Sequence, residues 1–175
     1  GALRGAPRRG ETYVVFGKLS GFASSVDLSA LDGTNGFRLD GIRVYDDLGF
    51  SISSAGDVNG DGFDDLIVAA PGSFFSSSTF KGESYVVFGK SGGFSSSINL
   101  STLDGTTGFR LDSGVGAQYV GRSLSSAGDV NGDGFDDLII GRYRGGNSAG
   151  ETHVVFGKPG VFASAIDLSM LDGTT

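Results

Sequence analysis

The stretch SSAGDVNGDGFDDLI, Ser53 to Ile67, returns letter for letter from Ser125 to Ile139, a spacing of 72 residues. Working outward, GETYVVFGK from Gly10 becomes GESYVVFGK from Gly82 and GETHVVFGK from Gly150, at spacings of 72 and 68 residues. LDGTNGFRLD from Leu31 returns as LDGTTGFRLD from Leu103, again at 72. A period of this length marks an array of supersecondary units, each unable to bury its apolar faces alone.

Each period divides into short apolar runs between turns. LGFSISSAG (Leu48 to Gly56) leads into an acidic loop, DLIVAAP (Asp65 to Pro71) leaves it, ESYVVFG (Glu83 to Gly89) follows a Ser-rich turn, and GFRLD (Gly108 to Asp112) closes the unit. The runs are rich in β-branched and aromatic residues and too short for helices, so they predict four strands per unit. The expected fold is all-β, with four-stranded antiparallel β-propeller blades; a β-sandwich with an internal duplication is the alternative. About two and a half blades are present in an incomplete ring. Residues 1–41 form a partial blade without its first strand and acidic loop. Residues 42–112 form a complete blade with the loop 57–65, and residues 113–175 a blade with the loop 129–137 that lacks its outer strand. The chain is therefore expected to be a fragment of a longer polypeptide, with head-to-tail completion between copies as the other route. The 32 glycines carry no collagen period and belong to turns.

The loop Asp57-Val58-Asn59-Gly60-Asp61-Gly62-Phe63-Asp64-Asp65 places oxygen side chains at positions 1, 3, 5 and 9. Hard cations such as Ca²⁺ take about six to eight oxygen ligands, which a tightly curled loop of this kind can supply. Asp57, Asn59, Asp61 and Asp65 are the expected side-chain ligands, with the carbonyl of Phe63 as a fifth. The second copy offers Asp129, Asn131, Asp133, the Phe135 carbonyl and Asp137, making two Ca²⁺ sites. Mg²⁺ fits less well because it prefers a compact octahedron with retained waters, and Zn²⁺ asks for His or Cys. An EF-hand is excluded because position 12, its bidentate acid, is Val68 in one copy and Ile140 in the other. Asp64 and Asp136, at position 8, are expected to point away as solvated charges or caps.

A formal charge of −7 argues against a nucleic-acid partner, since phosphate backbones select clustered Lys and Arg. The N-terminal Arg4, Arg8 and Arg9 read as loop charges. Cysteine is absent, which removes disulfides and thiolate chemistry, and no apolar run is long enough for a membrane span. The single histidine, His153, replaces Tyr13 and Tyr85 of the equivalent strands and reads as a blade-packing residue. No nucleophile elbow, phosphate-binding loop or free carboxylate pair accompanies it, so no catalytic residue and no enzyme activity are expected.

The unit from Gly49 to Gly89 resembles the FG-GAP repeat of the integrin α-chain β-propeller and its bacterial relatives. The resemblance implies seven-bladed propellers in the complete proteins, with calcium in the hairpin loops between first and second blade strands. It also implies an extracellular or cell-surface location and an adhesion role with a protein or glycan ligand. The FG element stands as Leu48-Gly49 and Val120-Gly121. The GAP element is intact at Gly5-Ala6-Pro7, becomes Ala69-Ala70-Pro71, and is replaced by Gly141-Arg142-Tyr143. Each unit also carries an insertion, such as KSGGFSSSINLSTLDGTTG from Lys90, expected to form an extended outer hairpin. A calcium-stabilised adhesion or protein/carbohydrate interaction module is the functional expectation. The alternatives are a structural subunit of an extracellular assembly or filament completed blade-to-blade, and an accessory domain of a secreted enzyme.

Overall fold

The computed structural model describes residues 9–72, 82–114, 119–143 and 149–174; Arg4, Arg8, the Gly5-Ala6-Pro7 tripeptide and the Ser-rich turn lie outside them. The described residues are all-β. Strands β1 (Glu11–Val15), β2 (Gly36–Asp40), β3 (Ile52–Gly56), β4 (Asp65–Ala70), β5 (Glu83–Val87) and β6 (Ser97–Asn99) come first. They are followed by β7 (Gly108–Asp112), β8 (Tyr119–Gly128), β9 (Asp137–Tyr143), β10 (Glu151–Val155) and β11 (Ala165–Asp167). Three short 3₁₀ turns, Leu28–Ala30, Leu100–Thr102 and Leu168–Met170, each follow a side-chain cap from Asp27, Asn99 or Asp167.

The central sheet holds the antiparallel meander β3-β4-β5-β7, the four segments read from the sequence, in the order expected of a blade. The sheets before and after it are β1-β2-β6 and β8-β9-β10. Burial separates stacked blades from a two-sheet sandwich. In β4, Ile67 and Ala69 face one apolar cluster with Val86, Phe109, Leu111, Leu138 and Ile140. Val68 and Ala70 face a second cluster with Phe37, Leu39, Tyr85 and Val87. The central sheet is thus covered on both faces, one by each neighbouring sheet, whereas a sheet in a sandwich has one inner and one outward polar face. That is why LIVAA, Leu66 to Ala70, is a continuous apolar run rather than an alternating one.

The insertion departs from the expected outer hairpin. Instead of folding on its own blade, residues 97–99 reach back and pair in parallel with β2, with Arg38 opposite Ser97, Leu39 opposite Ile98 and Asp40 opposite Asn99. One repeat later, β11 pairs in parallel with β7 in the same register, Leu111 opposite Ile166. An apolar anchor explains the reversal. Phe94 stacks on Phe37 at 4.5 Å between ring centroids, and Phe162 on Phe109 at 4.6 Å. Such ring pairs contribute about 0.5–1.5 kcal/mol beyond their buried area. An edge hairpin would have left these rings in water.

Candidate functional site

Both acidic loops are entered the same way. A register shift between Ser54 and Gly56, repeated between Ser126 and Gly128, breaks the ladder just before the loop. Gly56 and Gly128 take positive φ there, +74° and +70°, so the chain turns sharply out of the sheet.

Inside the loop the side chains close on its own amides. The Asp57 carboxylate accepts from the amides of Asp61 (3.0 Å) and Gly62 (2.9 Å), and Asn59 Oδ1 accepts from the Asp61 amide (2.9 Å). Asp61 Oδ1 accepts from the Phe63 amide (2.9 Å), while Asn59 Nδ2 donates to Asp61 Oδ2 (3.0 Å). The second loop repeats every bond. Asp129 accepts from Asp133 (3.0 Å) and Gly134 (2.9 Å), Asn131 Oδ1 from Asp133 (3.0 Å), and Asp133 from Phe135 (3.0 Å).

Position 9 does something the spacing alone does not reveal. Asp65 is buried; its Oδ2 accepts from the Val58 amide at 3.0 Å and its Oδ1 from the Gly89 amide at 2.8 Å. Asp137 likewise takes Val130 (2.8 Å) and Gly157 (2.9 Å). One carboxylate therefore pins the start of the loop to the end of the strand VVFG. Burial pushes the Asp65 pKa up to about 7, against the pull of the two amides, and the negative charges of Asp61 and Asp57 push the same way. The loop is short of positive charge.

At position 8 of the second loop, Asp136 is a cap rather than a solvated charge. Asp136 Oδ2 accepts from the Asp57 amide at 2.9 Å, and the Asp136 amide donates to the Asp57 carbonyl at 3.2 Å. The amides of Lys158 and Gly160 donate to the carbonyls of Val58 and Asn59. The first loop is therefore gripped from outside by the following sheet. Val58 is fully buried in that contact, while its counterpart Val130 is 56% exposed. The signal for this contact was in the sequence only as the position-8 acid itself.

The donor set of Asp57, Asn59, Asp61 and Asp65, with its copy Asp129, Asn131, Asp133 and Asp137, is all oxygen and suits a hard cation. As they stand, these carboxylates are turned to loop amides. Among the described residues no group of three or more His, Asp or Glu side chains stands close enough together to hold a metal ion. His153 sits on β10 opposite Ile140, as Tyr85 sits on β5 opposite Val68, in keeping with a packing role. Its Nε2 lies 3.6 Å from Glu151. No helix among the described residues is long and apolar enough to cross a membrane.

The FG-GAP repeat family matches residues 49–87 and 120–155, the two stretches that contain the acidic loops. The chain is 31% identical to integrin alpha-5 of Xenopus laevis over 77% of its own length and 12% of that protein's. It is 32% identical to integrin alpha-4 of Xenopus laevis, over 61% of the chain and 10% of the relative. With integrin alpha-IIb of Mus musculus the identity is 34%, over 60% of the chain and 9% of the relative. The chain spans about a tenth of the length of these curated relatives. Two loops of identical closure, each between the first and second strands of a blade, coincide with the two matched stretches, and the chain therefore carries FG-GAP repeats in a domain similar to that of integrin α chains.

Proposed function

We propose that this chain is a non-catalytic, calcium-stabilised module of an extracellular or cell-surface propeller that serves adhesion or protein/carbohydrate interaction. The three units assigned above, 1–41, 42–112 and 113–175, are its blades in sequence, with β6 and β11 each lent to the sheet before. Two Ca²⁺ ions are held, one by Asp57, Asn59, Asp61, Asp65 and the Phe63 carbonyl, the other by Asp129, Asn131, Asp133, Asp137 and the Phe135 carbonyl. The observation that carries the reading is the buried Asp65 carboxyl, whose ionised form lacks a counter-charge in a loop that already holds Asp57 and Asp61. A bound cation supplies that charge and lets the Asp65 carboxyl ionise at neutral pH.

The chain's own residues set the consequences. Asp65 and Asp137 tie loop to strand, so ordering the loop orders the blade edge. The names of the relatives, integrin α chains, support a binding role over a chemical one. Calorimetric titration tests the reading. Two sites are expected, with dissociation constants in the ~10⁻⁴ to 10⁻³ M range of extracellular modules, and Mg²⁺ is expected to bind more weakly. No calcium heat at millimolar concentrations, in a chain that is folded by circular dichroism, would refute it.

A further inference from the structure

Three equivalent ten-residue segments, 19–28, 91–100 and 159–168, meet two different fates. In the second unit, the Phe94 amide donates to the Gly33 carbonyl at 3.0 Å, Phe94 stacks on Phe37, Arg38 donates its amide to the Ser96 carbonyl, and Leu100 is 2% exposed. In the third, the Phe162 amide donates to the Gly105 carbonyl at 3.0 Å, Phe162 stacks on Phe109, Arg110 donates to the Ser164 carbonyl, and Leu168 is 1% exposed. Each arm thus lies on the G-F-R-L-D strand of the sheet before it.

The arm of the first unit has no such strand beneath it among the described residues. Phe22, the counterpart of Phe94 and Phe162, is 54% exposed; Val26 and Leu28 are 44% and 42% exposed. It is nonetheless built like the other two. Lys18 lies over the Phe22 ring at 5.5 Å, as Lys90 lies over Phe94 at 4.9 Å and Lys158 over Phe162 at 5.0 Å. Asp27 caps the 3₁₀ turn at Leu28–Ala30 through the Ser29 amide, as Asn99 and Asp167 cap theirs. What it lacks is the pairing: residues 97–99 and 165–167 are paired strands, whereas 25–27 pair with no strand among the described residues.

We infer that residues 19–28 are a docking arm whose occupant is the outer strand of a further repeat unit, a G-F-x-L-D segment with an uncovered edge. The two internal copies define the fit. The incoming strand lies parallel to residues 25–27, its Phe stacks on Phe22, its Leu comes opposite Val26, and its Asp opposite Asp27. The residue that meets the Phe22 carbonyl must be glycine, because a Cβ at Gly33 or Gly105 would fall 1.8 or 1.9 Å from the Phe94 or Phe162 carbonyl oxygen. A second copy of this chain does not meet the description. Both of its G-F-R-L-D strands, β2 and β7, are already covered by its own β6 and β11.

The test is a titration of the ¹⁵N-labelled chain with a synthetic peptide of residues 103–113, LDGTTGFRLDS, followed by amide chemical shifts. Saturable shifts at residues 19–30 are expected. They should weaken at least ~10-fold when the peptide's Phe is replaced by Ala, and equally in the chain variant Phe22→Ser/Val26→Ser. The substituted positions are exposed, and unchanged amide shifts in the rest of the variant establish that it is folded. Three results would overturn the inference: no shifts at 19–30 at millimolar peptide, shifts there that the double variant retains, or self-association of the free chain in sedimentation velocity that the double variant abolishes and the peptide does not compete.

Discussion

The Asp136 carboxylate takes a 2.9 Å hydrogen bond from the amide of Asp57, joining residues 79 apart in sequence and two successive acidic loops. A Cβ on Gly56 would fall 2.2 Å from the same carboxylate oxygen, so the contact depends on a bare backbone opposite. The two loops are thus in direct contact.

Replacing Asp136 by Ala is therefore expected to cost about 1.5–3 kcal/mol, the range of a hydrogen bond to a charged group. Asp136→Asn, which keeps an acceptor, should cost clearly less. Urea unfolding of the three proteins measures this; equal losses for Ala and Asn would mean that charge, not the acceptor, matters.

Asp61→Ala is expected to lower the melting temperature more in calcium than in calcium-free buffer, where only its bonds to the Phe63 amide and Asn59 Nδ2 are lost. Scanning calorimetry of wild type and variant in the two buffers checks it. Equal losses in both would reduce the loop to a hydrogen-bonded turn.

The Asp65 carboxyl gives a pH dependence with a definite sign. Its pKa in the folded, cation-free chain is raised to about 7 from an ordinary value near ~4. A group raised on folding contributes stability that is complete below the lower value and disappears as the pH climbs through the upper one. Without calcium, wild type should thus lose stability relative to Asp65→Asn between about pH 4 and 7. Saturating calcium, which binds the ionised carboxylate, should remove the loss. Thermal melts across this range, with and without calcium, read out both halves.

Gly105 and Gly92 separate backbone strain from collision. Both have φ of +90°, but a Cβ at Gly92 meets nothing within 4 Å, whereas at Gly105 it would strike the Phe162 carbonyl. Gly92→Ala should cost about 1–2 kcal/mol. Gly105→Ala should cost more than that and should expose Phe162, as judged by hydrogen exchange along 162–168.

The four strands of the central blade were legible because each is a short apolar run bounded by turns, and the loops because their acids recur at fixed offsets. The path of the insertion was not. Nothing local to Phe94 says that its ring belongs on Phe37, 57 positions earlier, since both flanks read as polar turn. Only the recurrence of Phe22, Phe94 and Phe162 behind a Lys hinted at a common contact. The role of Asp136 was equally hidden, because its partner is a backbone amide, which carries no mark in the sequence. Among the loop residues, the oxygen pattern was plain, while the turning of Asp57 and Asp61 onto loop amides is a matter of geometry.

Because β6 lies on the sheet before its own, and β11 does the same one step on, the unit of sequence and the unit of architecture are offset. A ribosome delivering this chain cannot finish either of the first two layers until roughly ten residues past the VVFG of the next unit have emerged, so assembly trails synthesis by a fixed lag. An excised period would carry an orphaned tongue and a bare rim; a trimmed fragment keeps its integrity only if the scissors follow the overlap.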